Sequence, residues 1–317
     1  KQKTAYEIRL SLVGSEMCIR DRAEAMASVI PVIGLIGGSG LYDIPGLADR
    51  EWRAVESPWG KPSDEILHGT LGGVPVRFLP RHGRGHPTPP SDLNYRANID
   101  ALKRAGCTEL ISLSAVGSLR EDLPPGHFVI VDQFIDRTFA RVKSYFGPGC
   151  VGHVSVAYPV CSRLGDALEA SARKLGLPVT RGGTYLVMEG PQFSTRAESL
   201  LYRQWGCSVI GMTNMPEAKL AREAELCYAT VAMVTDFDCW HPDHEAVTVD
   251  QVVKVCSAMP TRPAPWSPMW CRPSVRRAAC VPPAATVRWT TADHRARDAR
   301  PGAVGEARCR GGPRVVR

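Results

Sequence analysis

The chain has 317 residues, of which 44% are apolar, 22% charged and 7% aromatic, with a formal net charge of +7. This composition excludes a disordered polymer, and the length suffices for one large or two small cored domains. No run approaches the roughly eighteen uncharged apolar residues that a membrane-spanning helix needs.

In chain order, Arg9, Glu16, Arg20 and Asp21 interrupt the first apolar stretch, which argues against a secretory signal and for a cytoplasmic protein. Residues 1–25 read as a leader foreign to the domain, and Met26 is the first plausible initiator. From Ile33 onward, short apolar runs alternate with amphipathic stretches. Strands are expected at 32–38, 75–80, 109–116, 127–134, 184–190, 208–213 and 229–236, and helices at 94–106, 162–176, 194–206 and 215–225. This alternation predicts an α/β domain over residues 26–255, with a mixed, largely parallel central sheet flanked by helices.

Beyond residue 255 the character changes. Residues 256–317 hold 12 Arg, no Lys and three acids, a balance of +9, so the preceding 255 residues carry −2. The basicity that would suggest a nucleic-acid ligand therefore belongs to this segment alone. It also contains nine of the 26 prolines and shows no helical or strand period. Such an abrupt change is what a shifted reading frame would produce, and the segment is expected to be anomalous to the domain. The odd number of cysteines, with no C-x-x-C, fits scattered thiols in a reducing compartment.

In parallel sheets ligands bind beyond the carboxyl ends of the strands, so the polar residues that end each apolar run are the first suspects. Gly37, Gly38, Ser39 and Gly40 end the first run and suit an anion, or simply a tight turn. No G-x-G-x-x-G is present there, and no Lys follows as a P-loop requires, so a dinucleotide-binding oxidoreductase is a poor fit. Arg81 and His82 follow PVRFLP, where a guanidinium fork and an imidazole match phosphate oxygens. Ser114 and Ala115 end a third run with small groups suited to the same anion.

Met188–Ser194 pairs an acid with Phe193, an aromatic able to stack on a flat ligand or to fill the core, and Thr195 with Glu198 reads as a capping box. Met212 and Thr213 precede a helix start marked by Pro216 and Glu217, and packing and capping would explain them equally well. Asp236 and Asp238 close the last strand. Their i,i+2 spacing on an extended segment would aim both carboxyls to one side, where proximity and burial raise one pKa and make an acid available.

The segments GLIGGSGLYD, FLPRHGRGHPTPPSDLNYRANI, SAVGSLRED, EGPQFSTRAES, MTNMPEAKLAREAELCYA and TDFDCWHPDHEAVTVDQV together resemble the trimeric purine nucleoside phosphorylase family, and within it the 5′-methylthioadenosine phosphorylases. The resemblance spans about Ile33 to Lys254. It implies a single-domain nucleoside phosphorylase-like fold and phosphorolysis of 5′-methylthioadenosine to adenine and 5-methylthioribose 1-phosphate, a step in purine and methionine salvage. It implies no metal or organic cofactor, inorganic phosphate being a co-substrate, and a homotrimer with neither membrane nor nucleic acid as partner.

By position, the resemblance makes Ser39, Arg81, His82, Ser114 and Ala115 the phosphate ligands. Met212 and Thr213 would border the nucleoside, Phe193 would pack on the purine and Ser194 would lie near the base. Asp236 would face purine N7, and Asp238 the 6-amino group. Val249, Val252 and Val253 would present an aliphatic face to the 5′ substituent, and His153 would reach a neighbouring subunit's site. The sister reading is a phosphorylase of methylthioinosine, inosine or guanosine, which the two acids disfavour. A remoter reading is a nucleic-acid-binding protein acting through the basic tail.

Overall fold

The computed structural model describes residues 31–38 and 44–243. The leader, Ser39, Val249, Val252, Val253 and the Arg-rich segment lie outside these residues. The core is one mixed sheet. Its main path runs β2 (Ala48–Arg53), β3 (Ile66–Leu71), β4 (Val74–Pro80), β1 (Ile33–Gly37), β5 (Glu109–Ser118), β10 (Val209–Gly211), β9 (Thr184–Val187), β7 (Gln133–Asp136). A branch leaves β5 through β11 (Cys227–Asp236) to β6 (Phe128–Ile130) and β8 (Val179–Arg181).

Strand β5 is the hub. Its first part runs parallel to β1 and, along most of its length, to β11, whereas its last two residues pair antiparallel with β10. Alternation along the central strands sorts side chains to two buried faces. On one face Ile111 and Leu113 join Val231, Met233, Leu35 and Phe78 beneath helix α2 (Ser162–Lys174), whose Leu164 and Leu168 are fully buried. Each such leucine contributes about 1.5–3 kcal/mol. The other face carries Leu110, Val116, Tyr228 and Val234 beneath α1 (Tyr95–Arg104) and α4 (Asn214–Glu223). Ser112 and Ser114 share the parity of Leu110, so β5 turns hydroxyls toward α4.

The helix signals in the sequence operate as chemistry. Asn94 caps α1 by accepting from the amide of Ala97, and Gly106, with φ of +87°, follows the helix's end in a conformation that a side chain would strain. Thr195 and Glu198 form the expected capping box of α3 (Arg196–Gln204). In α4 the residue before proline, Met215, is extended (φ −118°, ψ 129°), so regular helix begins at Pro216.

Two strand expectations are corrected. The run 127–134 is not one strand but β6 and β7, which lie on different branches; the chain crosses between them at Asp132, whose carboxylate accepts from the amide of Gly183. The polar β2 and the short β3 and β8 had not been expected. β2 is an edge strand with mostly exposed side chains, so no apolar period announces it. No helix among the described residues is long and apolar enough to cross a membrane.

Candidate active site

Parallel pairing puts the ends of β1 and β4 side by side, Gly37 opposite Pro80, and β5 continues past both. Because β10 returns antiparallel against the end of β5, the residues after β10 fold back toward the middle of β5. There Thr213 Oγ1 meets Ser114 Oγ at 3.0 Å, and Tyr185 of β9 adds its hydroxyl at 3.1 Å. The expected capping role of Thr213 is replaced: it occupies the N-cap position of α4, but its side chain makes no cap bond and turns to Ser114 instead. Ala115, next to Ser114, is exposed on the strand.

Arg81 follows β4 directly but does not open toward solvent. It is 1% exposed, and its Nε donates to Glu217 Oε1 at 2.5 Å. Its remaining donors serve Leu113 O, Ile36 O, Ser112 Oγ at 2.7 Å and Glu217 Oε2. Burial opposes the charge, and Glu217 more than restores it, holding the Arg81 pKa above its ordinary value. Ser112, Asn214 and Tyr228 extend this buried network, with the Asn214 amide donating to the Ser112, Tyr228 and Thr230 hydroxyls. The fork expected to face phosphate is thus folded inward. Glu217, read in the sequence only as an acid at a helix start, is its partner 136 positions away.

His82 lies at the surface of this network. Its Nδ1 donates to the carbonyl of Thr88 at 2.8 Å, and its ring stacks on His86 with centroids 4.1 Å apart. Burial, and then the neighbouring Arg81 charge, push its pKa down to about 4, so the ring is neutral at pH 7. A second imidazole, that of half-buried His68 on β3, is lowered to about 4 by the same two causes, partial burial and nearby arginines. Both rings refuse protons that the unfolded chain accepts near pH 6.5, so the unfolded state binds more protons as pH falls. Stability is therefore expected to be full above pH 6.5 and to decline as the pH drops from 6.5 through 4. Thermal unfolding across that range should show a shallower decline for His82→Gln than for the parent chain; an identical slope would remove His82 from the account.

At the end of β11, Asp236 and Asp238 are brought together, although not by extended alternation. Asp238 has φ of +53°, and its amide donates to Asp236 Oδ1 at 2.8 Å, so the pair sits in a turn. Thr235 donates its hydroxyl to Asp236 Oδ2 at 2.7 Å. Gly117 of β5 leaves the necessary room: a β-carbon there would come within 2.8 Å of Asp236 Oδ1. Burial raises the pKa of both carboxyls above the ordinary aspartate value, and for Asp236 the charge of Asp238 adds to it. Ser194 donates to both oxygens of Asp238, at 3.0 and 3.1 Å, and thereby joins the β9 loop to the acid pair.

Phe193, one residue earlier, is 44% exposed, so it is not a core residue of the chain. Met212 is half-buried, with its sulfur beside Gly190 of the same loop. His153 is exposed between Val151 and Tyr158, and no contact among the described residues brings it to the carboxylates. The structure therefore groups Arg81, Ser114 and Thr213 around the middle of β5, with His82 directly after Arg81, and Asp236, Asp238 and Ser194 at its C-terminal end. Arg141 was not anticipated: it is buried, and it bonds the carbonyls of Met188, Glu189, Met212 and Met215.

A family model described as the phosphorylase superfamily matches residues 32–262. An S-methyl-5′-thioadenosine phosphorylase of Rhodospirillum rubrum is 71% identical over 225 residues, covering 71% of this chain and 76% of that protein. Among solved structures, a methylthioadenosine phosphorylase from an antarctic soil metagenomic library superposes with a TM-score of 0.70 at 48% identity, over 76% of this chain and 85% of that one. A methylthioadenosine phosphorylase of Schistosoma mansoni, in complex with adenine, gives 0.70 at 39% identity, over 78% and 91%. The mixed sheet, the polar strand ends gathered on it and these relationships agree: the chain belongs to the phosphorylase superfamily.

Proposed function

We propose that the chain is a pentosyltransferase that cleaves 5′-methylthioadenosine with inorganic phosphate, releasing adenine and 5-methylthioribose 1-phosphate. The observation that carries this reading is the acid pair at the end of β11. Breaking the bond between C1′ and N9 develops positive charge on the sugar and negative charge on the purine. A carboxyl whose pKa is raised by burial is suited to share a proton with N7 of that leaving group. Asp238, held by Ser194, would accept from a 6-amino group, whereas a 6-oxo base would set two acceptors against each other. Phosphate would approach nearer the middle of β5, among His82, Ser114 and Ala115. Ser39 and the valines at 249, 252 and 253 belong to the same proposal through the resemblance.

No organic cofactor or metal is required by this chemistry, because phosphate is itself the nucleophile. The reading includes a cytoplasmic homotrimer engaged in purine and methionine salvage, in which exposed Phe139, Val142 and Tyr158 would be covered and His153 would approach a neighbouring site. The test is adenine release from 5′-methylthioadenosine by the purified protein, with and without phosphate and beside inosine. Phosphate-dependent release, with inosine a much poorer substrate, is the expected result. Release without phosphate would mean hydrolysis, and a preference for inosine would mean that the acid pair has been misread.

A further inference from the structure

We propose that Arg141 is a positioning residue for the nucleoside end of the site, setting the distance between the two loops that enclose the nucleoside. This rests on the function proposed above. The Arg141 side chain is fully buried, a position where an arginine is ordinarily matched by a carboxylate fork on fork. Here a carboxylate reaches only Nε, Glu189 Oε1 at 3.3 Å. The two terminal nitrogens are spent on main-chain carbonyls. Nη1 donates to Met212 O at 2.5 Å and Met215 O at 2.6 Å, and Nη2 to Glu189 O at 2.6 Å and Met188 O at 3.4 Å.

These carbonyls belong to different walls. Met188 and Glu189 follow β9 and lead into Phe193 and Ser194, while Met212 follows β10 and leads into Thr213. One planar, rigid cation therefore fixes the spacing of the base wall from the ribose wall. Glu189 closes the arrangement, because its other oxygen accepts from the amides of Phe139 and Ala140, which orient Arg141's own backbone. The hydroxyl of Tyr95 accepts from Nη1 at 2.9 Å and donates to Pro90 O, tying in the segment after His82. A residue serving only stability would not need four carbonyls from two functional loops.

The same stretch of chain supplies a control. Glu223 accepts from Ser144 Oγ at 2.8 Å and from the amide of Tyr145 at 2.7 Å, holding residues shortly after Arg141 without touching β9 or β10. Arg141→Lys keeps the charge but loses the fork; Glu223→Gln weakens the stretch but leaves the fork. In R141K the KM for 5′-methylthioadenosine should rise about tenfold or more with a fall in kcat, while the KM for phosphate stays within about threefold, since displacing a site wall by an ångström has effects of this size. E223Q should lower the Tm and leave both KM values unchanged.

Nucleoside and phosphate KM values rising alike in R141K, or neither moving while Tm falls, would overturn the proposal. If R141K does not fold, Tyr95→Phe replaces it, with a twofold to fivefold rise in nucleoside KM alone expected and no rise counting against the role. If the parent chain releases no adenine, the function proposed above fails separately. Calorimetric binding of adenine to the parent and variant chains then decides the role of Arg141, with weaker binding in R141K supporting it and equal binding overturning it.

Discussion

Asp236→Asn should lower turnover of 5′-methylthioadenosine by about 10² to 10⁴-fold, the range for a lost proton-transfer partner. The substitution is close to isosteric, and the local bonds can survive it. An asparagine carbonyl still accepts from the amide of Asp238, and the Thr235 hydroxyl, which also lies 3.2 Å from the carbonyl of Val116, has another acceptor to turn to. What disappears is the ability to share a proton with the purine. The loss should appear in kcat, with nucleoside KM changing little, because the interaction strengthens only as charge reaches the leaving group. Near-normal turnover would remove Asp236 from the chemistry, and a loss confined to KM would make it a binding group.

The second large effect concerns Arg81. Removing one partner of a buried ion pair leaves a desolvated charge behind, so Arg81→Met should destabilise the fold by about 3–5 kcal/mol, read as a lower denaturant midpoint. Both members of the Arg81–Glu217 pair are almost wholly buried, and Ser112 and Tyr228 also donate to the same carboxylate. The double substitution Arg81→Met, Glu217→Leu should recover a substantial part of the loss, and no recovery would mean that the pair is not the origin. Kinetics separate the two accounts of this residue. If folded R81M keeps its phosphate KM, Arg81 supports the site from behind. If its phosphate KM rises far more than its nucleoside KM, the guanidinium reaches the anion during turnover, as the sequence resemblance implies.

Much of this arrangement was legible in the sequence. The long apolar runs gave their strands because both faces of the sheet's centre are covered, so hydropathy there is nearly continuous. Thr195 with Glu198 announced a helix start through local chemistry, and the structure makes those same bonds. Polar strand ends pointed to the site because parallel strands deliver their carboxyl ends to one edge.

What escaped were relations that act at a distance. The partner of Arg81 was not legible because nothing near it in the chain is acidic; Glu217 arrives from across the sheet only after folding. Arg141 had no motif, since its partners are carbonyls and carbonyls carry no side-chain identity. The i,i+2 argument expected Asp236 and Asp238 together, and they are, but by another geometry, because the positive φ of Asp238 turns the backbone where alternation was assumed.

The place of β11 in the sheet has a consequence for how the chain is made. It fills the slot between β5 and β6, pairing with both, yet it is synthesised about a hundred residues after β6. At about 5–20 residues per second, a ribosome leaves two hydrogen-bonding strand edges unpaired for on the order of ten seconds. Those edges belong to strands that are buried in the folded chain, the kind of surface that recruits other nascent chains. Any truncation upstream of Cys227 makes that interval permanent, so such fragments should associate into insoluble material rather than persist as partly active enzyme.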